Sequence, residues 1–293
     1  MNIKYISLLL LISLVFPSCG RFSNKQNDAN KNSSVRIVCV SKQLTEILFA
    51  LGQGDKIVGV DISSTYPPET KNITTVGYHR MLSAEGIISL NPTVVYYNGG
   101  TDASIGPESV IRQLREVGIP LKEFPGTPDI DSTKILIMAL AKEFDVEKKG
   151  EELCAKLDAD MKKAEERRAG YTSKPRVLII HYGRASNSYF VMGNKGNQNS
   201  MITWAGGVNA ADTSGFKLLS AEVIAKSQPD VILATDFGFD RMGSEDKFVE
   251  LPGLSLTPAA KNHKLYRIEE HDLIYLGPRT GENVLKLMDL IHK

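Results

Sequence analysis

Apolar and polar positions along the chain predict strands that alternate with helices. The apolar run at 36–40 predicts a buried strand, and apolar side chains then recur at helical spacing up to Leu51, before Gly52. Similar apolar runs are rich in β-branched residues and lie at 56–60, 93–97, 176–180 and 231–234. This alternation is typical of α/β folds with mainly parallel sheets.

One segment of the sequence occurs twice. Residues 82–92 and 219–229 align without a gap, and each copy has Leu-Ser-Ala-Glu, a short helical pattern and a proline before a β-branched strand. Copies this far apart indicate two similar lobes rather than a solenoid. We therefore predict an α/β fold of two Rossmann-like lobes, with a ligand cleft between them. The predicted boundaries are 35–140 for the first lobe and 174–293 for the second.

The segment between the lobes has a helical pattern. Residues 131–170 are expected to form a nearly continuous helix, of which 141–173 would be the connection between the lobes. Its many charges after Val146 are typical of a solvated face. Because a single long helix is stiff, we expect modest closure of the lobes.

The N-terminus is predicted to be a targeting segment. A basic residue, Lys4, precedes a short apolar run, which makes 1–18 a signal peptide. Cys19 directly after it resembles the acylated cysteine of bacterial lipoproteins, whereas the alternative is a plain export signal. Residues 19–34 are polar and fit a flexible tether. We therefore expect a protein of the periplasm or cell surface, anchored to the membrane by lipidated Cys19.

Composition narrows the functional classes. The 293 residues carry a formal net charge of +1, which gives no indication of a nucleic-acid partner. Cys39 and Cys154 fit small buried residues, and their spacing supports neither a disulfide nor a metal site. We found no catalytic triad, paired catalytic carboxylates, phosphate loop or zinc spacing in the sequence, which favours a carrier over an enzyme.

The central candidate for chemistry is Tyr78-His79-Arg80. A phenol ligates metal only after losing a proton, and Fe³⁺ and a nearby guanidinium lower its pKa. In an extended segment Arg80 would lie on the same face as Tyr78. Tyrosine is a known axial ligand of ferric haem. The alternative, from the residues alone, is a half-buried aromatic side chain at a strand end.

A second group of candidates follows the strand at 176–180. Ligand contacts in α/β folds lie at such strand ends, which here carry His181, Tyr182 and Arg184. If Tyr78 binds the iron of a haem, the site also needs apolar walls and a few cationic partners for the propionates. The propionate candidates are Arg80, Arg184 and Arg241. The wall candidates are Tyr66, Met81, Tyr97, Phe237, Phe239, Met242 and Tyr275.

Residues 76–86 resemble the signature of a known subfamily. They read Val-Gly-Tyr-His-Arg-Met-Leu-Ser-Ala-Glu-Gly, and the signature is Gly-Tyr-x-Arg-x-Leu-Ser-Ala-Glu-Gly. It is typical of the haem-binding subfamily of helical-backbone substrate-binding proteins, which serve bacterial ABC importers. The similarity continues through 205–210, 218–222, 251–259 and 276–280. It implies that Tyr78 is the axial ligand of haem iron and that Arg80 supports it. Some members add a histidine ligand, for which His181 and Tyr182 are both candidates here.

The resemblance also implies a docking role for glutamates. Glu85 and Glu222 hold the same position in the two repeats, where each would pair with arginine on one subunit of the permease dimer. The alternative is that Ser-x-Glu stabilises a helix start. Glu46 is a rival for the contact made by the first lobe.

These expectations combine into one function. We expect a monomeric, lipid-anchored protein that binds haem and delivers it to an ABC importer. A carrier of cobalamin or a ferric siderophore is the alternative within the same fold. A tetrapyrrole metal chelatase is the alternative from another class.

Overall fold

The computed structural model describes residues 35–99, 105–184 and 186–293. The predicted signal peptide, Cys19 and the tether lie outside the described residues. The part from Val35 to Lys293 clusters as one unit. None of the described helices has the length and apolar character needed to cross a membrane.

The first half of the described chain builds one parallel sheet. Its strands and helices are β1 (Ile37–Cys39), α1 (Lys42–Ala50), β2 (Ile57–Val60), β3 (Thr74–Thr75), β4 (Gly77–Tyr78), β5 (Met81–Leu82), α2 (Ala84–Ser89), β6 (Val94–Asn98), α3 (Glu108–Glu116) and β7 (Leu121–Phe124). The sheet has five strands in the order β3-β2-β1-β6-β7, all paired in parallel. Strands β4 and β5 form a separate antiparallel hairpin.

Two helices follow the first sheet, α4 (Ile130–Glu143) and α5 (Glu147–Ala169). The prediction of a nearly continuous helix over 131–170 is therefore wrong at 144–146. Asp145 there has a φ of 54°, which a right-handed helix cannot accommodate. The chain turns back, so that Lys134 on α4 forms an ion pair of 2.9 Å with Asp158 on α5. Gly150 makes this approach possible, because a Cβ there would lie 2.6 Å from Ala141 Cβ.

The second half builds a sheet of six strands. Its elements are β8 (Arg176–Gly183), β9 (Ser188–Val191), α6 (Asn197–Trp204), β10 (Val208–Asn209), β11 (Lys217–Leu218), α7 (Ala221–Ser227), β12 (Val231–Thr235), α8 (Asp236–Met242), α9 (Glu245–Phe248), α10 (Pro258–Lys261), β13 (Leu265–Ile268), α11 (Glu270–Ile274) and α12 (Thr280–Ile291). The order is β11-β9-β8-β12-β13, with β10 beside β8. Strand β9 is antiparallel to β8, whereas β12 and β13 are parallel.

The repeated segment occupies equivalent places in the two sheets. The hydroxyl of Ser83 accepts from Gly86 N–H and begins α2, and Ser220 accepts from Val223 N–H and begins α7. The strand after each helix, β6 or β12, pairs in parallel with the first strand of its own sheet. The duplicated sequence thus produces duplicated α/β units, as predicted.

Helix α5 packs against the cores of both sheets. Leu157 is buried in the core of the first sheet, Ala164 in that of the second, and Met161 contacts both. Cys39 is buried and Cys154 half-buried, and neither forms a disulfide. The lobe boundaries given above stay a prediction.

Candidate functional site

Tyr78 lies in the β4–β5 hairpin, where it pairs with Met81. His79 and Arg80 form the turn, so the segment is not extended as predicted. Gly77 has a φ of 104°, and a Cβ there would lie 2.7 Å from the Met81 carbonyl oxygen. This position therefore requires glycine. The hairpin leaves Tyr78 half-buried and Arg80 exposed.

The Tyr78 phenol is protonated in the free protein. Burial is the main cause that raises its pKa above the ordinary value, and the Glu270 and Asp61 carboxylates act in the same direction. Arg80 and Arg184 act in the opposite direction. A ferric ion would therefore have to displace a proton from Tyr78, and the two guanidinium groups would stabilise the phenolate that results.

His181 lies near the carboxyl end of β8, with its side chain 18% exposed. Its Nδ1 lies 3.7 Å from Glu270 Oε2 and 3.5 Å from Thr235 Oγ1. Burial is the main cause that lowers the pKa of His181, although Glu270 opposes this shift. The imidazole is therefore neutral at pH 7 and keeps a lone pair for a metal. The ring of Phe216 lies edge-on to it, with 5.7 Å between centroids.

Tyr182 points to the other face of β8, since successive side chains of a strand alternate. Its hydroxyl donates to the Asn187 side chain, and its ring contacts Tyr189 and Phe237. The residue is buried. The structure thus separates the two candidates: His181 shares Glu270 and Arg184 as neighbours with Tyr78, whereas Tyr182 belongs to an aromatic cluster.

The two predicted arginines of the second lobe each cover a ring of the aromatic cluster, but they differ in their other neighbours. Arg184 stacks on Phe237, with 4.0 Å from Cζ to the ring centroid, and acts electrostatically on Tyr78 and His181. Arg241 instead covers the ring of Tyr182 at 5.1 Å. Tyr78, His181, Glu270 and Arg184 thus form a central group, whereas Arg241 belongs only to the neighbouring aromatic cluster.

Tyr275 belongs to the central group. Burial raises its pKa, and Glu270, Asp61 and Tyr78 raise it further. Lys42 Nζ lies 5.2 Å from the centroid of its ring. Among the other predicted wall residues, Phe239 and Met242 pack against the core of the second sheet, and Met81 is 72% exposed.

A cavity of about 240 Å³ lies between the two halves. Lys42, Asp61 and His79 line it from the first half, and Asn197 and Tyr275 from the second. Pockets for drug-sized ligands have roughly 300–1,000 Å³, so a macrocycle would need part of the cleft mouth as well. A larger cavity of about 770 Å³ lies beside α6, and none of the predicted site residues lines it.

Asp61 is a buried carboxylate that sequence reasoning missed. It accepts from the hydroxyls of Ser63 and Ser64, and its Oδ2 lies 3.8 Å from His79 Nδ1. Burial alone would raise the pKa of Asp61, but His79 and the two serines hold it below its usual value. The ring of His79 contacts that of Tyr78, with 4.2 Å between centroids. Asp61 thereby places a negative charge behind the tyrosine.

Buried ionic contacts join the two halves, and these were also missed. Lys42 Nζ lies 3.4 Å from Glu270 Oε1. One turn further along α1, Glu46 contacts His271 Nε2 and accepts two hydrogen bonds from Arg279, at 3.0 and 3.2 Å. Because Glu46 is only 4% exposed, its candidacy for transporter docking is wrong. The polar face of α1, which carries Lys42 and Glu46 one turn apart, is the sequence signal that could have predicted these contacts.

The two glutamates of the repeat are accessible. Glu85 and Glu222 are exposed in the first turns of α2 and α7. Glu222 forms an ion pair of 2.8 Å with Lys226 on its own helix. The caps of both helices are made by the serine hydroxyls, so the glutamates are not needed for that task.

The sequence and the fold are similar to those of known proteins. The family model described as periplasmic binding protein matches residues 37–271. The chain belongs to this family. The solved structure of the periplasmic heme-binding protein RhuT from Roseiflexus sp. RS-1, in apo form, is similar with a TM-score of 0.80 and 38% identity, over 89% of this chain and 98% of that one.

Two curated proteins are also similar to this chain over most of its length. The uncharacterized ABC transporter substrate-binding lipoprotein YvrC of Bacillus subtilis is 28% identical, over 95% of this chain and 86% of its own. A vitamin B12-binding protein of Vibrio campbellii is 24% identical, over 68% of this chain and 70% of its own. The predicted two-lobed α/β fold and the predicted family are confirmed.

Proposed function

We propose that this protein is an extracytoplasmic solute-binding protein that captures ferric haem between its two lobes and delivers it to an ABC importer. The observation that carries the proposal is the half-buried Tyr78, flanked by Arg80 and Arg184, in a chain similar to a haem-binding protein over nearly its whole described length. Family members are binding proteins, which supports a carrier rather than an enzyme.

In this proposal each residue of the central group has a stated task. Tyr78 loses its proton and binds the iron, and the positive charges of Arg80 and Arg184 stabilise its phenolate. The exposed ends of the same arginines can pair with propionates at the mouth of the cleft. His181 is the second axial ligand, and Tyr275 and Phe216 supply apolar walls. Tyr182 and Arg241 support the cleft from the neighbouring aromatic cluster.

A titration with ferric haem tests the ligand. We expect an absorption spectrum of the tyrosinate type, and Tyr78→Phe should abolish it and weaken binding strongly, because it removes only the oxygen. Tyr171→Phe is the matched control, since its ring stacks on His292, away from the central group and the aromatic cluster. If Tyr78→Phe leaves the spectrum and the affinity unchanged, Tyr78 is not the ligand.

The same titration separates haem from the alternatives. Cobalamin or a ferric siderophore would not need a tyrosine ligand from the protein. Tight binding of cobalamin that survives Tyr78→Phe, together with weak binding of haem, would favour the vitamin B12-type carrier. Haem binding that depends on Tyr78 would exclude it.

Delivery requires a location and a partner. We infer that Cys19 is lipidated and anchors the monomeric protein outside the cytoplasm, and that Glu85 and Glu222 contact the two subunits of a permease dimer. A lipoprotein relative and the exposure of both glutamates support this inference. Replacing Cys19→Ser should move the protein from the membrane fraction to the soluble fraction of the producing cells. Retention in the membrane fraction would contradict the anchor.

A further inference from the structure

Glu270 begins α11 and faces both halves of the molecule. Its two carboxylate oxygens have different partners, because Oε1 lies 3.4 Å from Lys42 Nζ and Oε2 lies 3.7 Å from His181 Nδ1. Its side chain is only 17% exposed, so water screens these contacts weakly. One carboxylate thus connects the first half of the chain to the candidate axial histidine.

The two nitrogens of His181 have different surroundings. Glu270 and the Thr235 hydroxyl both approach Nδ1. Among the described residues, Nε2 has no hydrogen-bond partner. A neutral imidazole carries one N–H and one lone pair, and a carboxylate beside Nδ1 favours the proton there. The lone pair is then on Nε2, the nitrogen left for a metal.

We propose that Glu270 is a positioning residue for His181, which holds the proton on Nδ1 and directs the Nε2 lone pair to haem iron. This inference rests on the proposed function, in which His181 is the second axial ligand. A carboxylate behind a metal-bound histidine fixes the ring and raises its basicity. Lys42 contacts the same carboxylate, and its positive charge offsets part of the effect of Glu270 on the basicity of His181. The contact between the two halves therefore moderates how strongly His181 binds iron.

The test compares Glu270→Gln with His181→Ala and with the double variant, all loaded with ferric haem. Glutamine keeps the shape of the side chain and removes its charge. We expect Glu270→Gln to weaken haem binding about 10-fold, to change the electron paramagnetic resonance signature of the iron and to raise its reduction potential. In the His181→Ala background, Glu270→Gln should cause little further change in haem affinity, resonance signature or reduction potential, because the effects of residues that act through one another are not additive.

The matched control is Glu269→Gln. Glu269 precedes Glu270 in the chain but pairs with Arg267 at 2.6 Å, outside the central group. It should leave the resonance signature, the affinity and the potential as in the unmodified protein. Far-ultraviolet circular dichroism of every variant confirms that the fold is retained.

The outcomes distinguish the role of Glu270 from that of His181. If His181→Ala changes the signature but Glu270→Gln does not, the positioning role is wrong and the axial histidine stands. An effect of Glu270→Gln that is equally large without His181 would assign Glu270 to Lys42 or to Tyr78, whose pKa it also raises, and this too overturns the inference. If His181→Ala leaves the signature unchanged, the second ligand is wrong, and the role of Glu270 falls with it, while the dependence on Tyr78 still tests haem binding itself.

Discussion

Glu46 offers the sharpest test of how the two halves of the molecule are held together. The substitution Glu46→Gln keeps the size of the side chain but removes the charge that faces His271 and Arg279. Breaking a buried ion pair costs roughly 3–5 kcal/mol, because one charge is left without its partner. Arg279 keeps Asp272 at 2.9 Å, so we take the lower end, about 3 kcal/mol.

This loss is large enough to measure by thermal unfolding. For a protein of this size each kcal/mol lowers the midpoint by roughly 2–4 °C, so Glu46→Gln should lower it by about 6–12 °C. Glu165→Gln is the matched control, because Glu165 forms only an exposed ion pair of 3.8 Å with Arg168. Exposed pairs contribute at most about 1 kcal/mol. A midpoint for Glu46→Gln that equals that of the control would refute the reasoning.

The same variant predicts a dependence on pH. Burial alone would raise the pKa of Glu46, but His271 and Arg279 outweigh it and hold the pKa below its ordinary value. A carboxylate with a depressed pKa stabilises the fold fully above its unfolded pKa, near 4.3, and loses this contribution as pH falls through the folded value. Because glutamine does not titrate, the difference in unfolding free energy between the two proteins should narrow below about pH 4. A difference that stays constant down to pH 2 would contradict the ionised state of Glu46.

Two further predictions concern the β4–β5 hairpin and the two glutamates proposed to contact the permease, Glu85 and Glu222. Gly77→Ala should strain the hairpin by about 1–3 kcal/mol and thereby weaken haem binding. Gly118→Ala is the control for backbone strain alone, because Gly118 has a φ of 76° and open space around it. Equal haem affinities of the two variants would contradict the prediction. The double variant Glu85→Lys/Glu222→Lys should bind haem as before but reduce haem uptake by cells about 10-fold or more. Glu116→Lys on α3 is the control and should change neither binding nor uptake. Normal uptake by the double variant would rule out the docking role.

Local patterns predicted the parts of the structure that depend on neighbouring residues in the chain. Ser83 and Ser220 begin their helices as the repeat indicated, since an N-cap needs only a hydroxyl three residues before its donor. The placement of His181 near the carboxyl end of its strand also followed from the chain alone, although β8 continues beyond it to Gly183. The choice between His181 and Tyr182 stayed open because the strand pattern does not say which face of β8 looks toward the cleft.

The break between α4 and α5 shows where local patterns were insufficient. Residues 144–146 continue an apolar helical pattern, and Asp145 adopts its positive φ because the helices then pack against each other. Gly150 has a packing role, at the contact with Ala141. A pattern of apolar spacing cannot distinguish one long helix from two that fold back, since both bury the same face.

The polar face of α1 is buried inside the molecule. Lys42, Gln43, Thr45 and Glu46 are all buried, although a helix that packs on one sheet should leave such residues exposed. The second half of the molecule covers Lys42 and Glu46 through its own charged side chains. Gln43 donates to the Leu276 carbonyl of the second half and to the Thr127 hydroxyl of the first half. Separation of the lobes would therefore expose Glu46, His271 and Arg279 to water together. If the two halves separate when haem enters, these buried ionic contacts must break, so α1 contributes to the resistance to opening together with α5.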